Sequence, residues 1–336
     1  MTSLSGALGI RLSRAVTPRP SSILMYHGVP RVAPNAGSMD AAHFEQQIVF
    51  LKKYFIPIHP EDQAVKRSPF GIHRVLITFD DGFRNNFEVA APILHRHAVP
   101  AVFFVSSRHC EPGKYLWFAY LRCLQQHFKG NGFTFRGEFI DMTASKRVAT
   151  MRRLRDHLLS IKPHPAAMYQ AIESELPPLS DFASSREIES ECGGMTSEQV
   201  QQLAADPLFT IGSHTLDHPL LTKCEPSEVA HQIGANKAWI ENVTGRPCDS
   251  IAYPGGDYDR ATIKICQQFG LTSGYAVEPH LNRLPNWEMP RMGIFSPSIK
   301  VLGFKIVGGR ALTNQWLRLL HHIGLRIKRN EASSEI

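Results

Sequence analysis

Residues 74–83 read RVLITFDDGF, an apolar and β-branched run that ends in two adjacent carboxylates and a glycine. Runs of this kind alternate along the chain with longer amphipathic stretches, which is the pattern of repeated strand–helix units around a parallel sheet. Residues 74–80 and six further runs are predicted strands: 22–27, 100–105, 208–214, 249–254, 271–277 and 290–295. The sequence therefore predicts an α/β fold.

Helices are predicted after several of these strands, over residues 42–54, 87–98, 227–245 and 260–270. Residues 107–195 interrupt the alternation of strands and helices, because they carry two or three predicted helices and none of the predicted strands. We interpret them as an insertion beside the mouth of the domain. The insertion forms either a lid or substrate wall, or only a scaffold.

The composition of the chain indicates whether the protein has a large core, spans a membrane or is secreted. The 336 residues are 43% hydrophobic, which supports a sizeable core, and no apolar run is long enough to cross a bilayer. Residues 1–20 hold only a short apolar patch, broken by Arg11 and Arg14, so they make a poor secretory signal. Six cysteines without a CxxC pair are typical of reduced thiols. These features predict a cytoplasmic location.

The net charge of +7 is concentrated near the C-terminus. Residues 300–330 hold seven Lys or Arg and no Asp or Glu, whereas the preceding body is near neutral. This distribution argues against a broad nucleic-acid-binding surface, so no nucleic acid is expected as a partner. Residues 312–329 show a basic amphipathic pattern. They are predicted either to contact anionic lipid at a membrane surface or to pack on the domain as a final helix.

Polar side chains cluster where the predicted strands end. In parallel barrels and open α/β sheets the chemistry lies at the carboxyl ends of the strands, so these side chains should meet in one cleft. The segments are LITFDDGF, FTIGSHTLDH, ILMYHGVP and SIAYPGGDYD, and the residues at their ends include Asp80, Asp81, His214, His218, His27 and Tyr253.

A divalent cation is the simplest explanation for the adjacent carboxylates Asp80 and Asp81, which would otherwise repel each other. His214 and His218 are four apart, so on a helical turn they would lie on one face and could share the ion. Two His and one carboxylate leave a coordination position open, as in catalytic zinc sites. Taken alone, DDG is most often a turn, and HxxxH is more often a helix surface or a satisfied core pair. Their conjunction after two strands favours the metal.

These motifs resemble those of the polysaccharide deacetylase (NodB-homology) family, carbohydrate esterase family four, and in particular exopolysaccharide-biosynthesis deacetylases. TFDDGF (78–83) is similar to the first family motif, SHTLDHP (213–219) to the second, and AYPGGDYD (252–259) to the third. The resemblance covers residues 22–110 and 195–296. It implies a distorted, incomplete (β/α) barrel, TIM-like, with about seven strands and a mainly helical insertion.

The resemblance also implies the roles of four side chains. Asp80 would be the general base and Asp81 a metal ligand, with His214 and His218 completing the protein ligands. The family metal is usually zinc, and Co²⁺, Ni²⁺ or Mn²⁺ are the alternatives.

The reaction implied is hydrolysis of N-acetyl groups on N-acetylhexosamine residues of a polysaccharide, oligosaccharide or glycoconjugate precursor, giving acetate and a free amine. Tyr253 would line the substrate groove, and its backbone N–H would help to hold the oxyanion. Pro254 and Gly255 belong to the same predicted substrate-binding segment. Two alternatives stay open: hydrolysis of another C–N amide bond or an acetyl ester, and a non-catalytic glycan-binding relative.

Two departures from the family pattern concern the base and the acid. Ala252 stands where many relatives carry an Arg that holds the base, and Arg291 is the candidate replacement, the alternative being an ordinary surface arginine. No L-x-H motif occurs between residues 270 and 300 to supply the general acid. His27 is therefore the candidate acid, or else it binds substrate or fixes the strand end.

The expected organisation has three parts. Residues 1–21 form an N-terminal tail, residues 22–300 the deacetylase barrel with its insertion at about 107–195, and residues 301–336 the basic amphipathic segment. An acetylated glycan is the expected partner, and the sequence predicts no oligomeric state.

Overall fold

The computed structural model describes residues 21–31, 39–64, 73–277, 281 and 284–306. Within these ranges the strands are β1 Ser21–Tyr26, β2 Ile56–Pro57, β3 Arg74–Phe79, β4 Ala101–Val105, β5 Gly132–Phe135, β6 Glu138–Asp141, β7 Phe209–Ser213, β8 Ser250–Ala252, β9 Ser273–Ala276 and β10 Met289–Gly293. The helices are α1 Ala41–Tyr54, α2 Ala91–Arg96, α3 Trp117–His127, α4 Arg147–Ser160, α5 Ala166–Glu175, α6 Ser185–Cys192, α7 Ser197–Ala205, α8 Pro226–Thr244, α9 Arg260–Gln268 and α10 Ile299–Ile306.

Seven parallel strands form a closed barrel. They pair in the order β1-β10-β9-β8-β7-β4-β3, and β1 pairs with β3 to close the ring, while the short β2 joins the edge of β3. All seven predicted strands are present, and the predicted distorted (β/α) barrel with about seven strands is confirmed. The barrel is incomplete in the sense that a TIM barrel has eight strands.

Side chains alternate between the interior of the barrel and the layer of helices around it. Leu24, Val75, Ile77 and Phe103 belong to the large core shared with the helices. Residues from β1, β3, β4, β8 and β9 form a separate small cluster, which can only be the interior, because these strands surround it: Ile23, Leu76, Val102, Phe104, Ala252 and Tyr275. Along β3 the interior face continues from Leu76 through Thr78 to Asp80, so the strand alternation carries Asp80 into the mouth.

The insertion is a helical subdomain with its own core. Helices α3 to α6 pack with Phe83 around a hydrophobic cluster that is distinct from the barrel core. The two or three helices predicted in the insertion, around residues 114–128, 145–161 and 165–176, correspond to α3, α4 and α5. The sequence did not predict α6, α7 or the antiparallel hairpin formed by β5 and β6. The hairpin strands are four residues each and partly exposed, which leaves little hydrophobic pattern to detect.

Several predicted segments lie outside the described residues, namely residues 1–20 of the N-terminal tail and the amphipathic segment 312–329. Helix α10 runs across the expected boundary at residue 300, and Leu302 and Ile306 pack into the barrel core. Residues 301–306 are therefore part of the helical layer of the barrel. Over the ranges the structure describes, no helix is both long enough and apolar enough to cross a bilayer.

Candidate active site

The candidate site lies at the carboxyl ends of β1, β3 and β7, next to β10. Parallel pairing puts Tyr26 beside Phe79, so that His27 and Asp80 follow at neighbouring strand ends, and the N–H of Asp80 donates to the carbonyl of Tyr26 at 3.0 Å. His214 follows β7 in the same way. The strand ends that carry Asp80 and His27 therefore adjoin, as the sequence predicted.

A left-handed turn after β3 places both carboxylates. Asp81 has φ +78° and Gly82 has φ +80°, a region that costs a non-glycine residue about 1–2 kcal/mol. A Cβ on Gly82 would lie 3.0 Å from a methyl of Val105, so glycine suits this position for space as well as for backbone conformation. Asp80 and Asp81 are 2% and 1% exposed.

Asp81, His214 and His218 converge on one point. The Oδ1 atom of Asp81 lies 3.3 Å from Nε2 of His214 and 3.5 Å from Nε2 of His218. The ligand atoms of the three residues all lie within 4.8 Å of one another, and all three residues are buried. Nδ1 of His214 donates to the carbonyl of Ala252 at 2.8 Å, which leaves Nε2 as the ligand atom.

The two histidines do not share a helical turn, so that part of the prediction is wrong. Residues 214–220 form a loop, in which Thr215 (φ +65°) and His218 (φ +53°) are left-handed. This reversal, and not helical spacing, brings His218 back toward Asp81. Gln232 holds the loop by accepting hydrogen bonds from the N–H groups of residues 216 and 217, and the indole of Trp117 donates to the carbonyl of His218.

The donor set fits a divalent cation. Both carboxylate oxygens of Asp81 are buried without a hydrogen-bond partner among the described residues, an expensive state for a charged group unless a cation faces it. Two imidazole nitrogens and one carboxylate are zinc ligands that leave a position open.

Asp80 differs from Asp81 because both of its carboxylate oxygens accept hydrogen bonds from Arg291. NH1 and NH2 of Arg291 donate to Oδ1 and Oδ2 of Asp80 at 2.6 and 2.8 Å, and NH1 also contacts Oγ1 of Thr78 at 3.4 Å. Arg291 extends from β10 across the barrel interior, over the ring of Phe104, and is only 2% exposed. Its burial rules out the alternative of a surface arginine.

The pKa values of Asp80, Asp81 and His218 are shifted by burial and by neighbouring charges. Burial opposes ionisation of Asp80, but the charges of Arg291 and His214 outweigh it, so the pKa of Asp80 lies below its usual range. The pKa of Asp81 is also lowered against burial, by the imidazole of His214 close to it and the charges of His27 and His218. Burial and the charge of His214 lower the pKa of His218 to about 3, which keeps its ring neutral and able to bind a metal.

The sequence profile of the polysaccharide deacetylase family matches residues 67–129 and 165–274, together more than half of the chain. This chain belongs to the polysaccharide deacetylase family. The motifs on which the resemblance rested lie within or next to the matched ranges.

The individual proteins that resemble this chain share only a small part of its sequence. YxkH of Bacillus subtilis (strain 168), named as a polysaccharide deacetylase, is 29% identical over 85 residues, which are 25% of this chain and 30% of YxkH. The Streptococcus pyogenes deacetylase PplD, solved with acetate, has a TM-score of 0.54 at 17% identity and covers 85% of this chain and 99% of its own. IcaB from Ammonifex degensii has a TM-score of 0.53 at 17% identity, covering 84% and 95%. Such identities establish a shared fold.

In this family member His27 stands beside the two aspartates. Its charge is among the causes that lower the pKa values of Asp80 and Asp81, so the imidazole acts on the same cluster. The half-buried ring stacks on Phe295, with centroids 5.8 Å apart and planes at 27°. His27 is thus placed at the mouth of the site, between Asp80 and an exposed aromatic ring.

Tyr253 differs from the deacetylase pattern expected for it. Its backbone N–H donates to the carbonyl of Tyr275 at 3.1 Å, and its hydroxyl donates to the carbonyl of Trp287, while the side chain is fully buried. In this conformation the N–H is part of the barrel ladder and is not available to an oxyanion, so the donor predicted from sequence is wrong. Pro254 and the exposed Gly255 follow, and their contact with substrate stays a prediction.

Sequence reasoning missed three residues that support the deacetylase site. His109, just after β4, contacts the carbonyl of Asp81 with Nδ1 at 3.0 Å and the carbonyl of Cys192 with Nε2 at 2.7 Å. Trp117 contacts the loop of His218, and Phe118 packs on the His218 ring at 4.8 Å. The position of His109 after a predicted strand was a usable signal, whereas the two aromatic contacts depend on how the insertion docks.

Proposed function

We propose that this chain is a metal-dependent N-deacetylase acting on N-acetylhexosamine residues of a polysaccharide, oligosaccharide or glycoconjugate precursor. The observation that carries the proposal is the different environment of two adjacent buried carboxylates. Asp80 is held by Arg291, whereas Asp81 faces two imidazoles with its oxygens otherwise unpartnered. One carboxylate is thus free for proton transfer while its neighbour serves as a ligand.

Asp81, His214 and His218 would hold the metal, with zinc first and Co²⁺, Ni²⁺ or Mn²⁺ as alternatives. When bound, a divalent cation supplies a Lewis acid that polarises the acetyl carbonyl and makes water more acidic. The buried ligands and the aromatic rings of Trp117 and Phe118 exclude bulk water from this side of the cleft.

Asp80 is the proposed general base. Its lowered pKa keeps it ionised at neutral pH, so it accepts a proton from the water that attacks the acetyl carbon. The two hydrogen bonds from Arg291 fix the plane of the carboxylate and leave its remaining lone pairs for the water.

His27 is the proposed general acid. It lies beside Asp80 at the mouth of the barrel and donates its proton to the amine nitrogen as the C–N bond breaks. The products are acetate and a free amino sugar, so one water is consumed per acetyl group. PplD, a deacetylase with the same fold, was solved in complex with acetate, the compound that the proposed reaction releases.

An acetate-release assay tests the proposal. Purified protein, reconstituted with Zn²⁺ or Co²⁺, is incubated with N-acetylglucosamine oligomers, O-acetylated sugars and a non-sugar acetamide, and released acetate is measured. We expect release from the N-acetylated oligomers, loss with a chelator, and none with Asp80→Asn. Release only from the ester or the non-sugar amide would overturn the substrate class, and no metal-dependent release from any compound would overturn the activity.

For the compartment we propose the cytoplasm. All six cysteines are free thiols, as a reducing compartment would keep them. Lipid contact through residues 312–329 stays a prediction outside the described residues. Co-sedimentation with anionic vesicles of the full chain and of a chain truncated after residue 311 tests it, and equal sedimentation of the two would exclude the contact.

A further inference from the structure

A second group of metal-ligand side chains lies in the insertion, on two neighbouring helices. Cys123 and His127 are four residues apart on α3, and Glu191 lies near the end of α6. The ligand atoms of these three residues lie within 4.8 Å of one another, as in the barrel site. Residues four apart on a helix share one face, so here the helical spacing does present a sulfur and an imidazole side by side.

The contacts within this group leave ligand atoms in place for an ion. Nε2 of His127 contacts Oε1 of Glu191 at 2.9 Å, while Oε2 of Glu191 is buried without a hydrogen-bond partner among the described residues. Cys192 is next to Glu191, and its thiol is within hydrogen-bond reach of the Cys123 sulfur. The Cys192 thiol also donates to the carbonyl of Ala119 at 3.3 Å, so it is not left over for an ion. An ion pair between His127 and Glu191 alone does not explain the unpartnered oxygen of Glu191.

The surroundings match those of bound metals. Nδ1 of His127 lies 3.4 Å from a carboxylate oxygen of Glu187, the arrangement in which a carboxylate orients a metal-bound imidazole from its far side. Cys123 is fully buried, but the side chains of His127 and Glu191 are 20% and 18% exposed, so an ion can enter from solvent.

We propose that Cys123, His127 and Glu191 supply the three protein ligands of a zinc site distinct from the barrel site. Sulfur, imidazole and carboxylate together select zinc over the hard cations Mg²⁺ and Ca²⁺. Zinc lies about 2.3 Å from sulfur and about 2.0–2.2 Å from nitrogen or oxygen, so ligand atoms on one ion must be close neighbours, as they are here. On binding, the Cys123 thiol gives up its proton to solvent and coordinates as a thiolate.

Such a site would hold the wall of the catalytic cleft. Helix α3 begins with Trp117 and Phe118, which contact the loop and ring of His218. Helix α6 ends at Cys192, whose carbonyl accepts from His109, the residue that also contacts the backbone of Asp81. An ion that ties α3 to α6 therefore fixes both supports of the barrel site.

Cobalt substitution tests the site independently of activity. Thiolate bound to Co²⁺ gives an intense near-ultraviolet charge-transfer band, and the barrel ligands Asp81, His214 and His218 contain no sulfur. The full chain, reduced and freed of metal, is titrated with Co²⁺. We expect the band to saturate at about one ion per chain and to persist in His214→Ala, in which the barrel site is lost.

Matched variants localise the band. It should disappear in Cys123→Ser, fail to form in His127→Ala at the Co²⁺ concentration that saturates the wild type, and be unchanged in Cys224→Ser, a half-buried thiol outside α3 and α6. No band in the folded full chain, or a band that survives Cys123→Ser, would overturn the proposal. So would its loss in folded His214→Ala.

Thermal unfolding gives a second readout in case a cysteine variant is less stable. In a His214→Ala background, added Zn²⁺ should raise the unfolding temperature, because an ion that binds only the folded state stabilises it. In the His214→Ala/His127→Ala variant, which changes only a partly exposed side chain, that rise should vanish. An equal rise in both would overturn the site, whatever the acetate assay shows.

Discussion

Arg291 binds both carboxylate oxygens of Asp80, although 211 residues separate them along the chain. Both side chains are buried, and removing one partner of such a pair typically costs about 3–5 kcal/mol, because it leaves an uncompensated charge. The arrangement keeps the carboxylate ionised inside the barrel. This pairing matches the expectation that Arg291 stands in for the Arg of the family motif at the position of Ala252.

Replacing Arg291 should change the pH dependence of turnover. With Arg291 present the pKa of Asp80 is below its usual range, so the base is ionised from mildly acidic pH upward. In Arg291→Met only burial and weaker charges remain, the pKa rises, and less of the base is ionised at any given pH. The acid limb of kcat/KM against pH should therefore move to higher pH, by about one unit or more.

Arg291→Lys is the control for this experiment, because it keeps the charge but loses the paired hydrogen bonds. We expect its acid limb to lie between those of the wild type and Arg291→Met. An acid limb that does not move in Arg291→Met, in protein shown to be folded, would contradict the assigned role of Asp80.

Exchanging each aspartate for asparagine should separate proton transfer from metal binding. Asp80→Asn keeps the size of the side chain and lies off the ligand cluster, so it should abolish turnover and keep the barrel metal. Asp81→Asn, like His214→Ala and His218→Ala, should lose both. Elemental analysis beside the acetate assay measures the two effects. Loss of barrel metal in Asp80→Asn, with retention in Asp81→Asn, would show that the roles are reversed.

The parts of this site that could be predicted are those encoded by patterns of residues close together in the sequence. The strands, and hence Asp80, Asp81 and His214 at their ends, follow from short apolar runs that end in polar residues, and such runs are visible in the sequence. The His218 contact was predicted for the wrong reason. The four-residue spacing suggested a helix, whereas left-handed conformations at Thr215 and His218 make a loop. Threonine and histidine rarely adopt this conformation, so nothing in the sequence indicated it.

Long-range contacts were the harder part. Arg291 was selected because it begins a late strand, but its pairing with Asp80 needs the closed barrel, in which β10 and β3 both neighbour β1. His109 has no ligand-like partner nearby in sequence, yet it contacts the backbone carbonyl of Asp81. The oxyanion donor failed at Tyr253 because its N–H pairs with the carbonyl of Tyr275 on the neighbouring strand, as its place inside the predicted strand 249–254 could have indicated.

Removing the His109 ring should weaken metal binding at the barrel site, although none of the three ligand residues is changed. The ring lies between the carbonyls of Asp81 and Cys192 and helps to hold the left-handed backbone of Asp81. Losing an outer support of this kind typically costs 10–100-fold in metal affinity, so His109→Ala should bind Co²⁺ at the barrel site about that much more weakly. His231→Ala, an exposed histidine on α8, is the control and should bind as the wild type does. Equal affinity in both variants would show that His109 only fills space.

Substrates with different leaving groups can decide whether His27 is the general acid. An amine leaves poorly unless it is protonated, so His27→Gln should lower kcat on an N-acetylated oligosaccharide by about 10²–10⁴-fold, with the barrel metal retained. An activated acetyl ester such as p-nitrophenyl acetate releases a stable phenolate that needs no proton. If the wild type cleaves it, His27→Gln should do so at nearly the same rate. A residue that only binds sugar, or that only holds Phe295 in place, would instead raise KM for the oligosaccharide and leave kcat little changed. A parallel loss of kcat on both substrates would point to a structural defect and remove His27 from the mechanism.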